Sequence, residues 1–124
     1  MAISSKTIAK RRFDTPDEHR PFPLGSNDVV TIGDVTLGLA RYEPGWKWSE
    51  AIKPIVGTES CEVEHLGYVL SGRMAAKMND GSEMEFVAGD LVYIPPGHDG
   101  WIVGDEPVLF LQIMGAAPYA KKKE

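Results

Sequence analysis

The chain has 124 residues, 43% of them hydrophobic and 25% charged, with a net charge of -5. That is enough for one contiguous core, and it is the balance of a globular domain rather than of a disordered or membrane-spanning chain. The basic residues gather mainly near the two ends instead of forming a stripe, which excludes a nucleic-acid footprint, and no apolar run is long enough to cross a bilayer.

A single cysteine, Cys61, cannot staple its own chain, so a reducing compartment and a cytoplasmic location are expected. Met1 to Arg12 is basic and acid-free but lacks the apolar stretch of a secretory signal, and reads as a frayed end. Phe13 to Asn27 threads Pro16, Pro21 and Pro23 among charges, which disfavours a helix interior and a central strand alike. Residues 1–27 are therefore expected to form an extended arm, with Phe13, Phe22 and Leu24 as apolar anchors against the body of the domain or a neighbouring subunit.

From Val29 the character changes to β-branched and apolar residues punctuated by Gly33, Gly38 and Gly45, the pattern of short strands and tight turns. Val35 to Tyr42 alternates with Val35, Leu37 and Leu39 on the face expected to be buried. Arg73 to Met78 alternates too, Met74, Ala76 and Met78 sharing a face, and Asn79-Asp80-Gly81 then signals a hairpin because such a turn needs positive φ. Beyond it Met84 and Phe86 are expected inward. Val108 to Met114 supplies a closing strand, and Lys121-Lys122-Lys123 a solvated tail. The expected organisation is an arm, 1–27, an all-β domain, 28–118, and a basic tail, 119–124.

Two glycine-anchored segments, sixteen residues apart, stand out: Cys61-Glu62-Val63-Glu64-His65-Leu66-Gly67-Tyr68-Val69-Leu70-Ser71-Gly72 and Gly89-Asp90-Leu91-Val92-Tyr93-Ile94-Pro95-Pro96-Gly97-His98. Together they resemble the paired motifs of the cupin family, which implies a cupin-type jelly-roll β-barrel. In the first motif, G-x5-H-x-H-x(3,4)-E-x6-G, Gly72 is the final glycine and His65 takes the glutamate position. The shorter spacer puts Cys61 and Glu59 at the two histidine positions; the longer one puts Ser60 and Thr58 there. In the second, G-x5-P-x-G-x2-H-x3-N, Gly89, Pro95 and Gly97 fit, but Gly100 occupies the histidine position and Gly104 the asparagine position. His98 lies two residues earlier, on the same strand face.

The resemblance implies that Cys61, His65, His98 and Glu59 converge as metal ligands in the barrel. A thiolate with imidazoles favours zinc over magnesium or calcium, with iron, nickel or copper as other transition-metal choices. Each residue also has a plain reading: Cys61 as a small buried hydrophobe, His65 as a hydrogen-bonded core group, His98 as a loop imidazole paired with Asp99, Glu59 as a solvated carboxylate. Trp46, Trp48, Trp101, Tyr93 and Gln112 are the expected walls and polar contacts of a small-molecule pocket. Three functions stay open: metal-assisted small-molecule chemistry, a metal-free ligand-binding barrel, and a thiol mechanism with Cys61 as nucleophile and a histidine as base. A homodimer is expected, with the Phe13 to Asn27 arm covering a sheet edge by strand exchange.

Overall fold

The computed structural model describes residues 7–120. Nine strands and two one-turn helices follow in the order β1 (Glu18–Phe22), β2 (Gly25–Ile32), β3 (Val35–Tyr42), α1 (Trp48–Ala51), α2 (Lys53–Val56), β4 (His65–Ser71), β5 (Arg73–Met78), β6 (Glu83–Val87), β7 (Leu91–Ile94), β8 (His98–Ile102) and β9 (Val108–Met114). A six-stranded sheet, ordered β1-β2-β3-β9-β4-β7, faces a three-stranded sheet, β6-β5-β8, and every pairing is antiparallel. This is the expected jelly-roll fold. No helix among the described residues is long and apolar enough to cross a membrane.

Period-2 alternation fills the space between the sheets. Ala40 and Tyr42 from β3, Val69 from β4, Val92 from β7 and Val108 and Phe110 from β9 meet Met74, Phe86 and Ile102 from the smaller sheet. Each fully buried aliphatic or aromatic side chain in such a core contributes about 1.5–3 kcal/mol. The Asn79-Asp80-Gly81 turn joins β5 to β6 as expected, with Gly81 at positive φ and Asp80 Oδ1 accepting from the Ser82 amide and hydroxyl.

The chain differs from expectation at both ends. From Glu18 the expected arm is strand β1 paired with β2, so the boundary foreseen at 27/28 falls inside β2. Proline permits this because β1 is an edge strand, where the missing N–H of Pro21 costs no ladder bond. The hairpin pairs within its own chain. At the other end Tyr119 and Ala120 are buried in the core, although a tail was expected from 119; Lys121-Lys122-Lys123 lies outside the described residues. Two faces also swap. Val35 is buried as expected, but further along β3 the buried residues are Gly38, Ala40 and Tyr42 while Leu37 and Leu39 are only partly buried, and Met84 is 64% exposed beside buried Phe86.

Arg20 ties the two ends together. Its guanidinium is buried and donates to the carbonyls of Ala116 and Tyr119 at 3.0 and 2.8 Å, while Glu18 neutralises it at 2.6 Å. The turn after β9 is thereby clamped over one end of the barrel, which puts Tyr119 inside it.

Candidate metal centre

Backbone pairing assembles the site. The Cys61 amide donates to the His98 carbonyl at 2.7 Å, and the amides of Gly97 and His98 donate back to the Cys61 carbonyl at 2.7 and 3.3 Å. The reversal before His98 uses Gly97 at φ 91°, a conformation open to glycine without strain. His65 enters from the first position of β4, paired with Ile94. All three side chains are buried, and the Cys61 Sγ and His65 Nε2 atoms are 3.6 Å apart. One ligand atom from each of Cys61, His65 and His98 lies within 4.8 Å of the others, and the two rings meet edge to face at 5.2 Å.

The second nitrogen of each ring is held by an acceptor. His98 Nδ1 is 2.8 Å from the Pro95 carbonyl, which can only accept, so Nδ1 carries the proton. His65 Nδ1 donates to Gln112 Oε1 at 3.1 Å. Both rings therefore keep Nε2 as the lone-pair nitrogen, the tautomer a metal-binding imidazole requires. Gly115 permits the close fit around His65: it stands at φ 102°, and a Cβ there would lie 2.3 Å from the Glu64 carbonyl oxygen and 3.3 Å from His65 Nδ1.

Burial sets the charge state. It pushes the Cys61 thiol up to about 11 and the His65 imidazolium down to about 4, with His98 adding to the second effect. Burial also lowers His98. At neutral pH the trio is thus one thiol and two neutral imidazoles. That set fits a transition-metal ion: the rings are already deprotonated, and thiolate formation on binding would offset part of the cation's charge. Sulfur and nitrogen on a common tetrahedral ion lie about 3.3–3.8 Å apart, so ligand atoms spread over 4.8 Å need only a small contraction.

Tyr119 stacks edge-on against His65 at 5.2 Å, and its hydroxyl donor–acceptor partner is Tyr42 at 3.0 Å. Burial raises both phenols, which stay neutral. A void of about 30 Å3, room for one water, lies among Trp46, Trp48, His65, His98, Phe110 and Tyr119. Across Trp48 and Tyr119 a larger apolar cleft of about 320 Å3 opens, bounded by Ile52, Val56, Thr58 and Cys61 among others. The imidazoles face the inner void and the thiol borders the outer cleft. Two buried donors, Nε1 of Trp46, which lines the void, and Nε2 of Gln112, which holds His65, have no hydrogen-bond partner among the described residues.

Of the expected ligands, the structure brings together Cys61, His65 and His98. Glu59 is placed elsewhere: its side chain is 96% exposed and paired with Lys53 at 3.1 Å, because the loop before Cys61 runs over the surface. Of the expected pocket residues, Trp46, Trp48 and Gln112 are buried around the site. Tyr93 faces out and donates to Glu64 at 2.6 Å, since Val92 and Ile94 on either side of it point inward. Trp101 likewise alternates with inward Gly100 and Ile102 and lies under Lys47 Nζ on the outer side. Sequence reasoning missed Tyr42 and Tyr119. Tyr42 shares the parity of Gly38 and Ala40, which would have found it; nothing local marks Tyr119.

Residues 53–110 match the family model of the EutQ-like cupin domain. Among solved structures, a protein of unknown function from Rhizobium leguminosarum bv. viciae aligns at 22% identity and TM-score 0.60, over 87% of this chain and 96% of its own. The EutQ protein of Clostridium difficile aligns at 16% and 0.54, over 77% of this chain and 65% of that one. A variant of Bacillus subtilis oxalate decarboxylase aligns at 23% and 0.55, over 80% of this chain but 28% of the enzyme. The chain thus spans somewhat under two-thirds of the EutQ protein and little over a quarter of oxalate decarboxylase. No curated protein matches in sequence. Likenesses at these identities carry the fold and no activity.

Proposed function

We propose, from the premise that this chain belongs to the cupin superfamily, that it binds one divalent transition-metal ion through Cys61, His65 and His98 and works on a small organic molecule beside it. The single observation that carries this reading is the convergence of three buried ligand atoms within 4.8 Å, with both imidazoles held in the metal-binding tautomer. Zinc suits one sulfur and two nitrogens; iron, nickel and copper accept the same donors. A bound ion would supply Lewis-acid polarisation of a carbonyl or carboxylate oxygen, or an activated water.

The chain's own residues do the rest. Pro95 and Gln112 keep the two rings oriented. Cys61, a thiol without a metal, would hold the ion as a thiolate. Trp48 and Tyr119 form the apolar wall between the centre and the outer cleft, which favours an organic group over bulk water there. Glu59 has no part in this set. Cytoplasm is the compartment that suits an unpaired thiol, and a homodimer is the assembly we assign.

Metal analysis of purified protein, followed by titration of the chelator-stripped protein with zinc, iron(II), nickel and copper, tests the reading. One equivalent bound, and lost in Cys61→Ala and His98→Ala, is the expected result. Protein that takes up none of the four overturns it. The second reading, a metal-free ligand-binding barrel, is favoured by the apolar cleft alone. It predicts tryptophan fluorescence that responds to an organic ligand and is indifferent to chelator.

A further inference from the structure

The two spaces beside the Cys61, His65 and His98 trio differ in what they can hold. The inner void, about 30 Å3, has room for one water-sized atom. Trp46 lines it and is 4% exposed, and its Nε1 donates to nothing among the described residues, so an acceptor atom is the partner this donor lacks. The outer cleft, about 320 Å3, admits on the order of ten non-hydrogen atoms at the ~30 Å3 that a water-sized group occupies in a liquid. Its walls include Ile52, Val56 and Val63, together with Trp48 and Tyr119, which line the inner void as well. A molecule lying against those two rings has one end beside the trio.

Charge narrows the choice further. Neither space is lined by a lysine or arginine among the described residues. The charges that act on the trio are negative: burial raises the Cys61 thiol and lowers His98, and the carboxylates of Glu62 and Asp99 add to the first shift and oppose the second. Glu62 is exposed where it borders the cleft, and the Ser60 hydroxyl donates to it at 2.9 Å. A molecule with two or more anionic groups could give one of them to a bound cation. The rest of its charge would lie against apolar walls and a carboxylate, with no partner to offset the lost hydration.

We infer that the substrate is monofunctional, a single carbonyl or carboxylate head on an aromatic or branched-aliphatic body of about ten non-hydrogen atoms that fills the cleft. Dicarboxylates and phosphate esters are the classes this site rejects. The head rests on the metal reading above, whereas the body rests on the cleft alone. Two aromatic side chains, Trp48 and Tyr119, bound the cleft on the side of the trio, and a flat ring gains most from packing against such surfaces.

Isothermal titration calorimetry of zinc-loaded and chelator-stripped protein with phenylacetate, phenylacetamide, succinate and inorganic phosphate tests the assignment. The zinc-loaded protein is expected to bind the two phenyl compounds at least about tenfold more tightly than succinate or phosphate. Val56→Asn makes one wall polar and should weaken phenyl binding about tenfold while zinc stoichiometry, read with a chromophoric chelator, stays unchanged. Should Val56→Asn unfold, Thr58→Trp, which fills the cleft from a half-buried position, gives the same reading. Protein that takes up zinc and prefers succinate or phosphate keeps the metal reading and overturns this inference. Protein that takes up no zinc yet binds the phenyl compounds overturns the metal reading and keeps the assignment of the cleft. Phenyl binding that is indifferent to both cleft variants overturns the inference, as does zinc-loaded protein that binds neither phenyl compound.

Discussion

Gln112 and His65 stand on neighbouring strands, and the amide oxygen of one fixes the ring of the other at 3.1 Å. Gln112 is fully buried, so its orientation is set by packing rather than by solvent. Replacing it with leucine leaves His65 Nδ1 without its acceptor and releases the tautomer. Metal affinity in Gln112→Leu should fall about 10–100-fold, and stability by about 1–3 kcal/mol for the unsatisfied buried group. Gln112→Glu keeps an acceptor and should lose less affinity. Competition with a chromophoric chelator measures the first effect and urea denaturation of the stripped protein the second.

Cobalt(II) provides a spectroscopic test of the sulfur ligand. Cobalt-loaded wild type should show near-ultraviolet thiolate-to-metal charge transfer, and Cys61→Ser should lose it while retaining weaker visible bands from the two imidazoles. A wild-type spectrum without the charge-transfer band would place Cys61 outside the coordination sphere.

Stability should depend on pH at both extremes in the metal-free protein. The ordinary imidazole value is 6.5, and His65 in the fold titrates at about 4. Below pH 6.5 the unfolded chain takes up a proton that the native chain does not, so stability falls as pH drops from 6.5 towards 4, by about 3 kcal/mol in all. His98 acts in the same direction. Cys61 titrates at about 11 against an ordinary 9.0. Between those values the unfolded chain releases a proton that the native chain keeps, so stability falls again as pH rises through that window. Denaturation midpoints across the range should show both slopes. His65→Asn should flatten the acid one and Cys61→Ala the alkaline one.

The clamp at the barrel end should be worth more than a surface ion pair. Arg20 is buried and holds two carbonyls of the closing turn. Arg20→Met removes the buried cation that holds both carbonyls and should cost about 3 kcal/mol, whereas Arg12→Met, at an exposed pair with Asp14, should cost far less. Tyr119→Ala should cost about 3–5 kcal/mol through the cavity it opens beside His65. Thermal denaturation of the three variants would rank them.

Much of this was legible in the chain before folding. Gly72, Gly89, Pro95 and Gly97 mark turns whose backbone needs are local, so the resemblance to the paired cupin motifs, which implies the fold and the meeting of Cys61, His65 and His98, could be recognised in the sequence. The parts that were not legible depend on sheet order. Pro21 argues against a strand until β1 proves to be an edge. Leu37 and Leu39 resemble a buried stripe because hydrophobic alternation names two faces without saying which one has the second sheet over it. Tyr93 and Trp101 were placed by residue type when parity with Val92 and Gly100 decides the matter. Tyr119 reaches His65 only through a clamp from Arg20, 99 positions away, and no local pattern carries a contact of that range.

The main-chain bridge between Cys61 and His98 has one more consequence. Those two ligands are positioned by peptide hydrogen bonds that need no cation, so the ordering entropy of the coordinating groups is spent when the polypeptide folds. Ion uptake should then be quick and leave the backbone amide resonances of Cys61 and Gly97 nearly where they were, the behaviour of a receptacle built in advance rather than one moulded around its occupant.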